Sequence, residues 1–80
     1  MNTLRVKLTF PEHLIRQPII GRLVREFDVM PNIRRARVTE TVGEIALELE
    51  GPEESLERGI RYLREQGVQV EPLEGDVVSP

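Results

Sequence analysis

Three arginines, Arg34, Arg35 and Arg37, crowd one short stretch of the chain. Guanidinium groups at that density suit the binding of phosphate or carboxylate. On the edge of a sheet the same charges serve equally to block aggregation. His13 is the single histidine; in a loop it is placed for a ligand or a general base, or simply solvated. Arg16 and Asn32 supply the cation and amide that a phosphate-cradling enzyme of the acylphosphatase kind would use. The loop from Pro11 to Gln17 lacks the glycines such a cradle requires. Between Glu44 and Glu54 the acids alternate with apolar residues or open a helix, the pattern of a wet face rather than a metal cluster. There is no cysteine, which removes disulfides, thiolate metal sites, iron–sulfur clusters and cysteine nucleophiles from this chain. No nucleophile stands beside a plausible base, so the residues point to binding rather than catalysis, with no cofactor.

The elements that must position these residues follow from periodicity. Leu4, Val6, Leu8 and Phe10 alternate with Arg5, Lys7 and Thr9, a first strand with one buried face. Pro11 stops it. After a loop, Pro18 is expected as the first residue of a helix running to about Asp28. Its apolar stripe is Ile19, Ile20, Leu23, Val24 and Phe27. A second strand is expected over residues 32–41, with Ala36 and Val38 on the buried face and Ile33, Arg35, Arg37 and Thr39 on the other. Thr41-Val42-Gly43 has the length and glycine of a hairpin turn, leading to a third strand in which Ile45, Leu47 and Leu49 alternate with Ala46, Glu48 and Glu50.

Gly51-Pro52-Glu53-Glu54 announces a second helix, with Pro52 at its first position and acids near the positive end of the dipole. Leu56, Ile60 and Leu63 form its buried stripe. Glu54 with Arg58 and Glu57 with Arg61 have the spacing of stabilising ion pairs. Gly59 lies near the buried stripe, which points to close packing on the sheet or on the first helix. Gly67 is expected just past the end of this helix. Val68 and Val70 open a fourth strand, which Pro72 ends, and residues 74–80 read as a loose tail.

Strand, helix, strand, strand, helix, strand implies an α+β ferredoxin-like sandwich over residues 1–73: an antiparallel sheet of order 4-1-3-2 with both helices on one face. On the open face this order sets Gln69 and Glu71, Arg5 and Lys7, Glu48 and Glu50, and Arg35 and Arg37 side by side, acid against base from strand to strand. An RNA-binding version of the fold needs exposed aromatics on its central strands; Arg5, Lys7, Thr9, Ala46, Glu48 and Glu50 occupy those places.

Composition agrees with this picture. Eighty residues make one domain, and a chain that short favours self-association to gain stability. With 39% hydrophobic and 31% charged residues it is an ordinary globular composition. The net charge of −3 opposes general nucleic-acid affinity. No apolar run is long enough to cross a bilayer, and the N-terminus lacks a signal-peptide pattern, so the expectation is a cytoplasmic protein without membrane insertion.

The order of landmarks resembles the NIL domain family. A strand ends in Phe10, Gln17-Pro18-Ile19-Ile20 opens a helix, and Asn32-Ile33-Arg34 opens the second strand. Gly43, Leu47-Glu48-Leu49-Glu50-Gly51, Ile60-Arg61-Tyr62-Leu63 and Val68-Gln69-Val70-Glu71 complete it. The family is named for an Asn-Ile-Leu triplet, and Arg34 here takes the leucine's place. The resemblance implies a regulatory module of methionine ABC importers, similar to ACT domains, that pairs as a homodimer and senses methionine or another small amino acid.

Lacking a P-loop, this chain is expected to be that module standing alone, with a transporter or enzyme as partner. The expected ligand site joins Asn32, whose amide suits a zwitterion, Ile33 for apolar contact, and Gln17, Pro18 and Ile19 at the start of the first helix. The competing reading is an interaction adaptor without a small ligand, docking through an edge strand or the charged sheet face.

Overall fold

The computed structural model describes residues 2–73. The expected tail, 74–80, lies outside the described residues. Six main elements follow one another: β1 (Asn2–Phe10), α1 (Ile19–Phe27), β2 (Met30–Val38), β3 (Gly43–Gly51), α2 (Glu53–Gln66) and β4 (Gln69–Pro72). The four strands form one antiparallel sheet in the order β2-β3-β1-β4, the ferredoxin-like arrangement expected from the sequence.

The core is what the alternation demands. Val6, Leu8 and Phe10 of β1 and Leu47 and Leu49 of β3 are buried beneath Ile19 and Leu23 of α1 and Leu56 and Leu63 of α2. No polar or charged side chain is buried among the described residues. The helices meet at Gly59, where an added Cβ would stand 3.0 Å from Leu23 Cδ1 and 3.9 Å from Phe27 Cβ. Close packing on α1 is thus the reason for a glycine in a helix interior. Beside it the Phe27 and Tyr62 rings lie with centroids 5.0 Å apart. Gly59→Val is expected to lower stability by about 1–3 kcal/mol through overpacking against Leu23, read from the urea midpoint.

The helix ends show how local chemistry sets boundaries. Pro18 and Pro52 each precede their helix by one residue instead of occupying its first position. Their carbonyls accept from the Arg22 and Leu56 N–H groups at 3.1 and 3.0 Å, while Pro52 itself stays extended. Gly67, at φ 103°, ends α2 as expected, with the Val68 N–H donating back to the Leu63 carbonyl at 3.0 Å. The loop after β1 contains a 3-10 turn at Glu12–Leu14 that carries Leu14 into the core.

The hairpin differs from expectation. Thr39 makes the turn: its Oγ1 accepts from the Thr41 and Val42 N–H groups at 3.2 and 2.9 Å. Gly43 belongs to β3, opposite both Phe10 and Val38. A Cβ there would lie 3.2 Å from Phe10 Cβ and Ile15 Cγ1, so glycine is required for close approach rather than for the turn.

Candidate functional site

The largest departure from the sequence reading is β2. It begins at Met30 and stops at Val38, and neither Ala36 nor Val38 is buried. The register slips between Ile33 and Arg35, leaving Arg34 as the extra residue of a β-bulge. A one-residue insertion reverses side-chain parity. Ile33, Ala36 and Val38 therefore share one side, opposite Leu47, Ile45 and Gly43, while Asn32, Arg35 and Arg37 share the other, opposite Glu48, Ala46 and Glu44. Ile33 thus stands with the apolar residues, not with the arginines.

On the helix side, β2 lies beyond the cover of α1 and α2. Ile33 is 53% and Val38 57% exposed, and Val24, one turn beyond Ile20 on the α1 stripe, is 37% exposed. This apolar strip runs into a small cavity of about 150 Å³ lined by Phe10, Ile15, Pro18, Ile20, Val38 and Ile45. Gln17 and Ile19 also line it, although the Ile19 side chain belongs mainly to the core. The structure therefore brings Gln17, Pro18 and Ile19 together at one cavity. Ile33 lies on the same side of β2 as the cavity's Val38. Asn32 lies on the opposite side of the strand. Val38 and Ile45 were absent from the expected set; their signal was their place in alternating apolar runs, which reads as core until the exposure of the edge is known.

Among the described residues of the open face, the charge pattern is realised at Glu48. Glu48 Oε2 accepts from Arg5 Nε at 2.9 Å and from Arg34 Nη1 at 3.2 Å. The bulge residue thus takes the role that alternation had assigned to Arg35. Arg35 and Lys7 instead flank Ala46. The expected pairs Glu54–Arg58 and Glu57–Arg61 do not form. Arg58 lies 6.0 Å from the Phe27 ring centroid, a cation–π approach, while Arg61 and both glutamates stay exposed. Such surface pairs contribute little, so hydration competes with them readily.

His13 is exposed, lining an open hollow with Glu12, Arg16 and Glu40. No group of three or more His, Cys, Asp or Glu among the described residues is arranged to hold a metal ion. Among them no helix is long and apolar enough to cross a membrane.

Known proteins share this architecture. The chain is 36% identical over 72 residues to the methionine import ATP-binding protein MetN of Coxiella burnetii, covering 85% of this chain and 20% of that protein. It is 37% identical over 71 residues to MetN of Myxococcus xanthus, covering 84% and 22%. The chain thus spans about a fifth of the length of the curated relatives it matches. The crystal structure of the C-terminal domain of an ABC transporter/ATP-binding protein from Enterococcus faecalis superposes with a TM-score of 0.83 at 28% identity, covering 94% of this chain and 88% of that one. The de novo designed protein LFR1, of ferredoxin fold, superposes at 0.52 with 13% identity over 100% of this chain and 91% of its own, a likeness of fold alone. The NIL domain model matches residues 4–72, from the first alternating leucine of β1 to the proline that ends β4, and the chain belongs to the NIL domain family.

Proposed function

We propose that this chain is a regulatory domain that pairs with a second copy along β2 and binds a small amino acid, methionine first among candidates, in the apolar groove between β2 and the start of α1. The observation that carries this reading is the uncovered strip of Ile33, Ala36 and Val38 running into the cavity at Pro18 and Ile20. An edge strand offers unpaired backbone groups, and an exposed apolar side beside it gains free energy when a second copy covers it. The cavity, about 150 Å³ and open to solvent on one side, has the size of one apolar side chain.

In this arrangement Pro18, Ile20 and Val38, with Ile19 behind them, line the place of the thioether chain, and Ile33, farther along β2, gives apolar contact to the second copy. Gln17, exposed at the rim, offers its amide to the carboxylate or the ammonium group. Asn32 stands on the far side of β2, opposite Glu48 and outside this groove. The names of the relatives, methionine import ATP-binding proteins, support methionine as ligand and a transporter subunit as partner.

Calorimetric titration tests the reading. Methionine is expected to give a saturable heat, and alanine, which lacks the chain that fills the cavity, a binding constant at least about tenfold weaker. Absence of heat at millimolar methionine removes the amino-acid reading.

A further inference from the structure

The other side of β2 carries a feature that the amino-acid reading does not use. Five of the chain's eleven basic residues, Arg5, Lys7, Arg34, Arg35 and Arg37, line one concavity of about 730 Å³ on the open sheet face. Among the described residues the acids beside them are Glu44, Glu48 and Glu71, three of the chain's fourteen, so the rest of the molecule is more acidic than its net charge of −3.

The register locates the excess. One row across the sheet is Arg5, Glu48 and Asn32, with Arg34 reaching the same glutamate; another is Arg37 with Glu44. Between them lies the row Lys7, Ala46, Arg35. Position 46 falls in the glutamate side of the β3 alternation, yet it holds alanine. With strands about 4.8 Å apart, the two flanking cations rise about 10 Å from each other across a bare floor. Glu71 is next to Lys7 on β4, and no ion pair joins them. Arg35 and Arg37 form no ion pair among the described residues.

We infer that this concavity docks an acidic polypeptide segment of a partner protein, one of whose carboxylates takes the place over Ala46, between Lys7 and Arg35, where no described side chain of the domain pairs with both cations. Four of the five cations are arginines, whose planar forks match carboxylates in pairs. The site is open to water, where a single ion pair contributes little, so an isolated carboxylate or phosphate is not held firmly. Several acids on one chain are, because later pairs form intramolecularly at high effective concentration. Nucleic acid is disfavoured by the absence of aromatic stacking groups on this face and by the acidic remainder of the domain.

The test is fluorescence anisotropy at low ionic strength with a fluorescein-labelled glutamate-serine repeat peptide, against a lysine-serine peptide and a double-stranded oligonucleotide. The wild-type domain is expected to bind the acidic peptide saturably and to lose it as salt is raised. Ala46→Glu, which supplies the missing carboxylate from the domain itself, is expected to weaken binding at least about tenfold without lowering the thermal midpoint. Glu48→Gln, which removes the carboxylate that holds Arg34, is expected to tighten it. If Ala46→Glu does not fold, Arg35→Ala with Arg37→Ala, both at exposed positions, makes the same measurement. No saturable binding by the wild type, binding indifferent to these substitutions, or tighter binding of the oligonucleotide overturns the inference. None of these outcomes touches the methionine titration, which reads the opposite side of β2.

Discussion

Leu47→Ala is expected to leave a domain that is only marginally folded in water at 25 °C. Leu47 sits at the centre of β3 with 0% of its surface exposed, in register between Val6 of β1 and Ile33 of β2. Cutting a fully buried leucine to alanine removes its burial free energy and leaves a cavity, together about 2–5 kcal/mol. A single core in a chain of this size seldom supplies more than about 3–5 kcal/mol in total. The loss is therefore comparable with the whole stability, whereas in a larger domain it would be absorbed. Urea unfolding followed by circular dichroism reads the effect. The comparison is Val24→Ala, at a partly exposed position of α1 and expected to change stability by no more than about 1 kcal/mol. A cost below about 1 kcal/mol for Leu47→Ala would contradict the central place given to that side chain.

The second large effect concerns association rather than folding. Val38→Asp is expected to abolish pairing along β2 while leaving the isolated domain folded. In one copy Val38 is 57% exposed, so an aspartate there stays hydrated and costs the monomer about 0.5 kcal/mol or less. In the paired state the same carboxylate is taken out of water opposite an apolar strip. An uncompensated buried charge costs about 3–5 kcal/mol, a factor of more than about a hundred in the dissociation constant. A two-fold axis presents the substitution twice and adds to the penalty. Sedimentation velocity of wild type and variant, with far-UV circular dichroism as the folding control, makes the comparison. A wild-type domain that remains monomeric at high concentration, or a variant that still pairs, removes β2 as the contact. If the ligand sits at the seam, the heat of methionine binding disappears together with the pairing.

The two readings divide the faces of one strand, and the bulge at Arg34 makes the division. Were β2 regular, Ile33 would lie among Arg35 and Arg37, the apolar strip would lose its largest member, and Arg34 would point away from Glu48. The extra residue sends Ile33 to the side of Ala36 and Val38 and lets Arg34 join Arg5 at Glu48. The residue that stands where the family's triplet has leucine is thus the one that changes parity and pairs with an acid.

By itself the sequence determined the order of elements, the sheet order and the part of the core drawn from β1, β3 and the two helices. Alternation in β1 and β3, and the three-and-four spacing of Ile19, Leu23, Leu56 and Leu63, allow one way to bring all the apolar faces together, and local hydrogen bonding at Gly67 closes α2 where the glycine stands. Only the tertiary structure decided what β2 presents to solvent. Periodicity records which side chains share a face, but not whether another element covers it. The helices α1 and α2 leave the apolar side of edge strand β2 uncovered, so residues patterned like core, Ala36 and Val38, remain exposed. The bulge was equally invisible in one dimension, because inserting a residue costs the sequence no change of composition and alters only which partner on β3 each side chain meets.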